Sequence, residues 1–187
     1  MKKLTIIILS LFILTSCSTG EQPITQTLGS VSTCDQIDIS KTSDKELEMP
    51  CLDGSSVINF YAINGPIIIN VWGSWCEGCR EEMPYLVDLY ATQIFKSGEI
   101  KLLGADVEES TLEAGPNFIK SHSMTWPHLV DIDSKSKFVF GMGVPVTWFI
   151  DASGEVTYKH IGAYKSKKEL FDHVEKYFKV KLLTTLI

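Results

Sequence analysis

Two cysteines separated by two residues, Cys76 and Cys79, constrain this chain more than any other feature. They follow the apolar run 67–72, which is typical of a buried strand, and they open a polar stretch with helical spacing. Cys76 is therefore predicted at a strand-to-helix junction. A helix N-terminus carries unpaired N–H groups and a partial positive charge, so it favours a thiolate over a thiol. A thiolate attacks disulfides, and Cys79 is near enough in sequence to close a ring with Cys76.

The hydrophobic pattern predicts an α/β domain with a central mixed sheet flanked by helices. Two strand–helix alternations indicate parallel strands, and a later hairpin adds an antiparallel edge. Pro84 is expected to kink the first helix. A C-x-x-C pair beside such a pattern is typical of a thioredoxin-like fold. The predicted strands are 56–60, 67–72, 100–107, 146–150 and 155–160, and the predicted helices are 77–95, 111–122 and 166–178.

The start of the chain is typical of a bacterial export signal. Lys2 and Lys3 precede an apolar run at 4–14, which is shorter than the about 20 residues of a membrane span. The following Leu-Thr-Ser-Cys resembles a lipobox, which implies that residues 1–16 form a lipoprotein signal peptide and that Cys17 carries lipid. An ordinary signal peptide with a chance cysteine, or an uncleaved anchor, is the alternative. Lipid would hold the exported domain at the outer face of a membrane.

One domain is expected after the signal. Residues 17–33 are rich in Ser, Thr, Gln and Gly, which is typical of a flexible tether. The domain is expected over 34–180, with a C-terminal tail at 181–187. The net charge of −6 becomes −8 when Lys2 and Lys3 leave with the signal. Because the sequence contains no basic run, nucleic acid is not an expected partner.

The chain contains five cysteines, and export places them in an oxidising compartment. If Cys17 carries lipid and Cys76 pairs with Cys79, Cys34 and Cys51 remain for each other. Such a structural disulfide would close a loop on the order of 17 residues and contribute about 3 kcal/mol. It would tie an N-terminal extension to the domain. Two free thiols, or a second redox pair that recharges the first, stay open as alternatives.

No metal site is expected. A closed zinc site needs four ligands, and the sequence has neither a second C-x-x-C nor paired histidines. The acidic residues Asp106, Glu108 and Glu109 are expected at a solvated strand end. The four histidines are expected on the surface or in satisfied core positions. These histidines are His122, His128, His160 and His173.

Two separated blocks of the chain resemble the membrane-tethered TlpA/ResA-like thiol–disulfide oxidoreductases. The first block, 70–84, contains Trp-Cys-Glu-Gly-Cys, and the second, 141–151, is similar to the family's G-V-P-x-T-x-x-I-D. The blocks occur in the family's order, which makes the resemblance specific. It covers roughly 47–178 and implies a thioredoxin-like fold with an N-terminal extension.

The resemblance implies roles for individual residues. Cys76 matches the attacking cysteine and Cys79 the resolving cysteine. Pro145 matches the family's cis proline, beside which the Val144 backbone would pair with an extended substrate peptide. Trp75 is expected to shape the site next to Cys76.

The resemblance also points to a carboxylate and shows one departure from the family. Asn70 occupies the position of the buried aspartate of ordinary thioredoxins, which makes Glu82 the expected proton-handling carboxylate. A solvated helix residue, or a carboxyl group with a structural role, is the alternative for Glu82. Gly78 stands where relatives usually carry proline, and Glu77 adds a negative charge that opposes formation of the Cys76 thiolate.

The function that the resemblance implies is disulfide exchange with protein substrates outside the cytoplasm. The reductive direction is favoured, for example in cytochrome c maturation, and oxidative disulfide formation is the alternative. A thiol peroxidase is less favoured because such enzymes use a single peroxidatic cysteine in another context. A Sco-like copper carrier is less favoured because it needs C-x-x-x-C. The expected monomer requires no cofactor beyond its own disulfide, and a membrane electron donor or acceptor is an implied partner.

Overall fold

The computed structural model describes residues 32–131, 133–141 and 143–182. The strands are β1 (Glu48–Pro50), β2 (Val57–Asn59), β3 (Ile67–Trp72), β4 (Lys101–Val107), β5 (His128–Asp131), β6 (Val146–Ile150) and β7 (Val156–Ile161). The α-helices are α1 (Glu77–Tyr90), α2 (Gln93–Lys96), α3 (Ala114–Ser121), α4 (Lys137–Phe140) and α5 (Lys167–Phe178), and short 3-10 helices span Cys34–Gln36 and Phe60–Ala62.

A five-stranded mixed sheet in the order β5-β4-β3-β6-β7 forms the centre of the fold. Strands β3, β4 and β5 are parallel, whereas β6 pairs antiparallel with both β3 and β7. The parallel pair β3 and β4 is joined through α1, the kind of crossover that parallel strands need. Because β3 and β6 run in opposite directions, the residues after β3 and those before β6 meet at one edge of the sheet.

Both faces of β3 are buried, which explains its unbroken apolar run. Ile68 and Trp72 face a core closed by α1, α3 and α5. Ile67, Ile69 and Val71 face a second core, closed by the N-terminal segment and α4. Alternate side chains of a strand point to opposite faces, so one strand contributes to both cores. The prediction of a thioredoxin-like mixed sheet flanked by helices is confirmed.

The N-terminal segment covers the second core and is attached to β5. A disulfide joins Cys34 to Cys51, with Cα atoms 6.1 Å apart, and both residues are buried. Cys51 forms an isolated β-bridge with Leu129, and the Leu52 N–H donates to the His128 carbonyl at 2.8 Å. The extension is therefore an integral part of the domain.

Contacts with the domain extend slightly beyond the boundaries expected from the sequence. Ser32 donates to the Thr125 carbonyl through its N–H and its hydroxyl, and the Leu182 N–H donates to the Glu175 carboxylate. The expected signal peptide, most of the tether and the last five residues lie outside the described residues, as does the lipidation expected at Cys17. Within the part of the chain that the structure describes, no helix has the length and apolarity to cross a membrane.

Several elements differ from the sequence-based prediction. The helix predicted over 77–95 ends at Tyr90, and a separate helix, α2, begins at Gln93. Helix α1 continues through Pro84, and the kink expected at this residue stays a prediction. Helix α3 begins at Ala114, which places Pro116 near its start, where a missing N–H leaves no intrahelical bond unmade. The short elements β1, β5 and α4 were not predicted, because three or four residues carry no readable periodicity.

Replacing both Cys34 and Cys51 by serine is expected to lower the free energy of unfolding by about 3 kcal/mol, because the bridge restricts the unfolded chain. Denaturant unfolding under oxidising conditions measures the loss. With dithiothreitol present the two proteins should unfold alike, since the wild type has then lost its bridge as well. Equal stability under oxidising conditions would show that the bridge does not stabilise the domain.

Candidate active site

The two cysteines of the C-x-x-C motif lie at the junction between β3 and α1. They form a disulfide with Cα atoms 5.3 Å apart. Cys76 is the N-cap of α1, and its Sγ accepts a hydrogen bond from the Cys79 N–H at 3.0 Å. This is the position at which a helix N-terminus stabilises negative charge. The local structure is therefore suited to a Cys76 thiolate once the disulfide is reduced.

The two sulfur-bearing residues differ in accessibility. Cys76 is 6% exposed, whereas Cys79 is 0% exposed and packs in the core beneath α1. Cys76 is therefore the less buried of the two residues and the one nearer to an incoming sulfur atom. The arrangement can thus attack through Cys76 and release a bound partner through Cys79.

The loop before β6 faces the dithiol. Val71 and Val146 form the last register pair between β3 and β6, so Pro145 lies next to the junction that carries Cys76. The Val144–Pro145 peptide bond is cis. A Cβ added at Gly78 would lie 3.5 Å from Pro145 Cδ, so the second of the two residues between the cysteines lies next to this proline. The Val144 backbone lies just outside the sheet ladder.

Trp75 forms the exposed wall of the site. Its side chain is 53% exposed, and its indole N–H donates to the Val107 carbonyl at 3.4 Å. A Cβ at Gly73 would lie 2.6 Å from the indole nitrogen, so only glycine leaves room for this ring position. Trp75 and Val144 line the same small surface cavity. The structure therefore brings Trp75, Cys76, Val144 and Pro145 together.

Glu82 is fully buried on α1, three residues after Cys79. Its Oε1 accepts from Asn70 Nδ2 and its Oε2 accepts from the Tyr164 N–H, both at 2.9 Å. Burial raises the pKa of Glu82 to about 7, against the opposite effect of these hydrogen bonds. A carboxyl group with this pKa gains and loses its proton near neutral pH. The alternative interpretation of Glu82 as a solvated helix residue is wrong.

Asn70 is the buried side-chain partner of Glu82. Its Nδ2 also donates to Thr147 Oγ1 at 3.1 Å, and both residues are 0% exposed. An aspartate at this position would place a second buried carboxylate beside Glu82, at a large cost in desolvation and repulsion. The amide instead donates to Glu82 and fixes its orientation.

Asp106 is buried, and the expectation of a solvated strand end is wrong for this residue. It is 1% exposed at the end of β4. Helix α3 covers it so closely that a Cβ at Gly115 would lie 1.8 Å from Asp106 Oδ2. Burial, together with a hydrogen bond to Glu109 and the charge of that residue, raises the pKa of Asp106 to about 9. Gly115, in the first turn of α3, allows the helix to lie this close to Asp106. The glycine is visible in the sequence, but its contact with Asp106 cannot be inferred until the fold is known.

His128 also differs from the expectation of a satisfied core position. It is 0% exposed and lies between the rings of Trp72 and Trp126, at centroid distances of 5.6 and 5.5 Å. Neither ring nitrogen has a hydrogen-bond partner among the described residues. Burial lowers the pKa of His128 to about 3, which keeps the ring neutral. The other three histidines are half-buried.

Cys34, Cys51 and Asp53 have potential ligand atoms within 4.8 Å of one another. Both sulfur atoms belong to the disulfide described above. A metal binds the thiolate form of cysteine, so this group offers no thiolate ligand while the bridge is intact.

Comparison with known proteins agrees with this geometry. A family model described as the AhpC/TSA family matches residues 42–159. The thiol-disulfide oxidoreductase ResA of a Bacillus cereus strain is 30% identical over 139 residues, which are 74% of this chain and 72% of that protein.

Two solved structures show the same fold. The dsbF protein of Mycobacterium tuberculosis superposes with a TM-score of 0.60 at 23% identity, covering 71% of this chain and 95% of that one. The exposed lipoprotein thioredoxin Etrx1 of Streptococcus pneumoniae superposes with a TM-score of 0.55 at 22% identity, covering 71% and 99%. Together with the dithiol at the start of α1, these matches show that the chain belongs to the AhpC/TSA family and is a thiol–disulfide oxidoreductase of the thioredoxin type.

Proposed function

We propose that this enzyme reduces disulfide bonds of other proteins outside the cytoplasm. The observation that carries the proposal is the asymmetry at the start of α1, where Cys76 caps the helix and keeps 6% of its surface exposed while Cys79 has none exposed. An accessible thiolate beside a buried thiol is the arrangement that a two-step exchange requires.

In the reductive direction, the Cys76 thiolate attacks one sulfur of a substrate disulfide. The substrate S–S bond breaks, its other sulfur leaves as a thiolate that takes up a proton, and a mixed disulfide joins Cys76 to the substrate. Cys79 then loses its proton and attacks the Cys76 sulfur, which releases the second substrate thiolate. Two electrons have passed to the substrate, and Cys76 and Cys79 are left oxidised.

Glu82 supplies the base for the second step. Cys79 has no exposed surface, so its proton needs an internal acceptor. Residues three apart on a helix share a face, which places Glu82 on the Cys79 side of α1. A carboxyl group with a pKa of about 7 is ionised often enough at neutral pH to accept that proton.

The substrate is an extended segment of protein that pairs with the Val144 backbone. Main-chain pairing beside a sheet edge tolerates many sequences. Trp75, with its half-exposed ring, supplies apolar contact next to the attacked sulfur. Pro145 closes the other side of the site.

Negative charge around the dithiol supports the reductive direction. Glu77 lies in the first turn of α1, and Glu82 lies one turn behind Cys79. Carboxylates disfavour a nearby thiolate relative to the uncharged disulfide. A couple whose thiolate is destabilised has a lower reduction potential and donates electrons more readily. The helix N-terminus acts in the opposite sense at Cys76, so oxidation of exported proteins is the alternative direction.

A C-x-x-C-H haem-attachment site of apocytochrome c is the proposed substrate class. Export through the segment 1–16 and a lipid on Cys17 would place the domain where such substrates are found. The lipobox-like sequence supports this location, as does the description of Etrx1 as an exposed lipoprotein. A membrane electron donor would reduce the dithiol again after each cycle, and the monomer needs no cofactor for this chemistry because the electrons reside on sulfur.

Cys76→Ser is expected to abolish exchange with protein disulfides, because the attacking sulfur is gone. Cys79→Ser should accumulate a mixed disulfide with substrate, because nothing resolves it. Non-reducing gel electrophoresis with an oxidised substrate protein distinguishes the two results. Full activity of the Cys76 variant would refute the assigned mechanism.

The reduction potential of the Cys76–Cys79 couple is expected near or below that of thioredoxin, about −270 mV. Equilibration of the domain with dithiothreitol buffers of known potential measures it. A value near the strongly oxidising limit of about −120 mV would instead assign the enzyme to disulfide formation.

Glu82→Gln is expected to remove an ionisation near pH 7 from the rate of mixed-disulfide resolution, because an amide cannot accept the Cys79 proton. In the wild type this rate should rise as pH increases through about 7. Glu81→Gln is the matched control, since Glu81 is exposed and pairs with Lys165 at the surface. If the two variants give the same pH–rate curve as the wild type, the role given to Glu82 is wrong.

The same variant should change the pH dependence of stability. The folded protein keeps the Glu82 proton between pH 4.5 and about 7, where the unfolded chain releases it. This residue therefore favours the folded state most below pH 4.5, and its contribution declines as pH rises through that range. Between pH 4.5 and about 7, Glu82→Gln should accordingly lose less stability with rising pH than the wild type, as measured by denaturant unfolding.

A further inference from the structure

Ser74, two residues before Cys76, fixes the loop that carries the dithiol. Its N–H and its hydroxyl both donate to the Glu109 carboxylate, the hydroxyl at 2.6 Å. The Arg80 guanidinium donates to its carbonyl. The N–H, the hydroxyl and the carbonyl of Ser74 thus all take part in hydrogen bonds.

The residues next to Ser74 are attached to the same end of β4. The Cys76 N–H donates to the Gly73 carbonyl at 3.0 Å. The Trp75 indole donates to the Val107 carbonyl. The position of the Cys76 sulfur therefore depends on where the chain following β4 places its hydrogen-bonding groups.

That chain has an unusual backbone at Glu108, whose φ angle is 56°. This left-handed conformation is uncommon for a residue with a side chain. It turns the chain between Val107, which ends β4, and Glu109, which reaches Ser74. Glu108 itself pairs with Lys137 at 3.1 Å and makes no hydrogen bond to Ser74.

Glu109 and the buried residue Asp106 line the same cavity, and Asp106 Oδ1 has no hydrogen-bond partner among the described residues. A carboxylate only accepts hydrogen bonds, so two carboxyl groups can bond to each other only if one of them carries a proton. Asp106 is 1% exposed and Glu109 is half-buried. Desolvation disfavours charge most at the more buried group, so a proton shared by these two groups belongs on Asp106. Glu109 is the acceptor for Ser74.

The other charged groups nearby form hydrogen bonds with other partners or with another part of Ser74. Asp131 lines the same cavity of about 360 Å³ as Asp106 and Glu109, but its carboxylate accepts from the N–H groups of Lys135 and Ser136. Arg80 is the cation that contacts Ser74, and it does so on the carbonyl side.

We propose that Asp106 and Glu109 are a positioning pair, in which the Asp106 O–H donates to Glu109 and the Glu109 carboxylate holds Ser74. The pair orients the segment that carries Cys76, and its single negative charge opposes the Cys76 thiolate. Neither residue touches the substrate. This inference rests on the proposed role of Cys76 as the attacking residue.

Glu109→Gln and Glu108→Gln test the pair, because each removes one negative charge and only the first contacts Ser74. Glu109→Gln is expected to shift the glutathione exchange equilibrium of the Cys76–Cys79 couple toward the dithiol by about tenfold, or about 30 mV. It should also lower the pKa of the Cys76 thiol, which ultraviolet absorbance of the thiolate reports. Glu108→Gln should leave both values close to those of the wild type, because its charge is already paired with Lys137.

Asp106→Asn and Asp106→Ala test the shared proton. The asparagine N–H can donate to Glu109 in place of the protonated acid, so this variant should keep the wild-type potential and rate of Cys76 attack. Asp106→Ala leaves Glu109 without its donor and should slow attack on an oxidised peptide by about tenfold, the rate equivalent of a single hydrogen bond to a charged group. Ser74→Ala alters no charge and removes one hydroxyl, and it should also slow the attack by Cys76. It takes the place of Asp106→Ala in the test if that variant does not fold.

The outcomes separate this inference from the proposed function. Equal potentials and attack rates for Glu109→Gln, Glu108→Gln and the wild type would overturn the positioning pair alone. A slow Asp106→Asn variant with normal folding would overturn the shared proton. A wild-type disulfide that does not equilibrate with glutathione would instead contradict the proposed function itself.

Discussion

The pairing of β3 with β4 on one side and β6 on the other is the constraint on which the site depends. Its register places Val71 opposite both Ala105 and Val146. The ends of three strands therefore meet, and they carry the dithiol, the Asp106–Glu109 pair and the cis-proline loop. A slip of one residue would move Asn70 to the other face of the sheet and away from Glu82. The two buried cores prevent such a slip, because every side chain of β3 is already buried on one face or the other.

Two carboxyl groups in this region of the fold are buried, and burial has the same effect on both. Glu82 and Asp106 both lie out of water, and for each of them burial raises the pKa. The amide of Asn70 donates to Glu82, and in the positioning pair proposed above the carboxylate of Glu109 accepts from Asp106. The enzyme thus keeps acids near its sulfur atoms without burying isolated charge. The two groups differ in that only the pKa of Glu82 lies near neutral pH.

Sequence periodicity correctly predicted the helices and strands whose formation depends on residues close together in the chain. The apolar run of β3, the strand β6 and the helix α5 were all predicted from residues that are near one another in the chain. The burial of Asp106 was not predicted, because it depends on Gly115 of a helix that crosses above it. The contact between Ser74 and Glu109 was missed for the same reason, since a distance of 35 residues separates them. The environment of Glu82 needed the partner positions Asn70 and Tyr164, which only the folded chain brings together.

The burial of the Cys34–Cys51 bridge has a consequence for an enzyme of this kind. A protein that cleaves disulfides also meets copies of itself. Cys34 is 2% exposed and Cys51 is 3% exposed, and an attacking thiolate needs access to a sulfur atom. The bridge that attaches the extension to β5 therefore offers an attacking thiolate even less surface than Cys76, which is 6% exposed. The two disulfides of this chain differ in the surface that each presents to a thiolate of another molecule, and the bridge that holds the extension presents less.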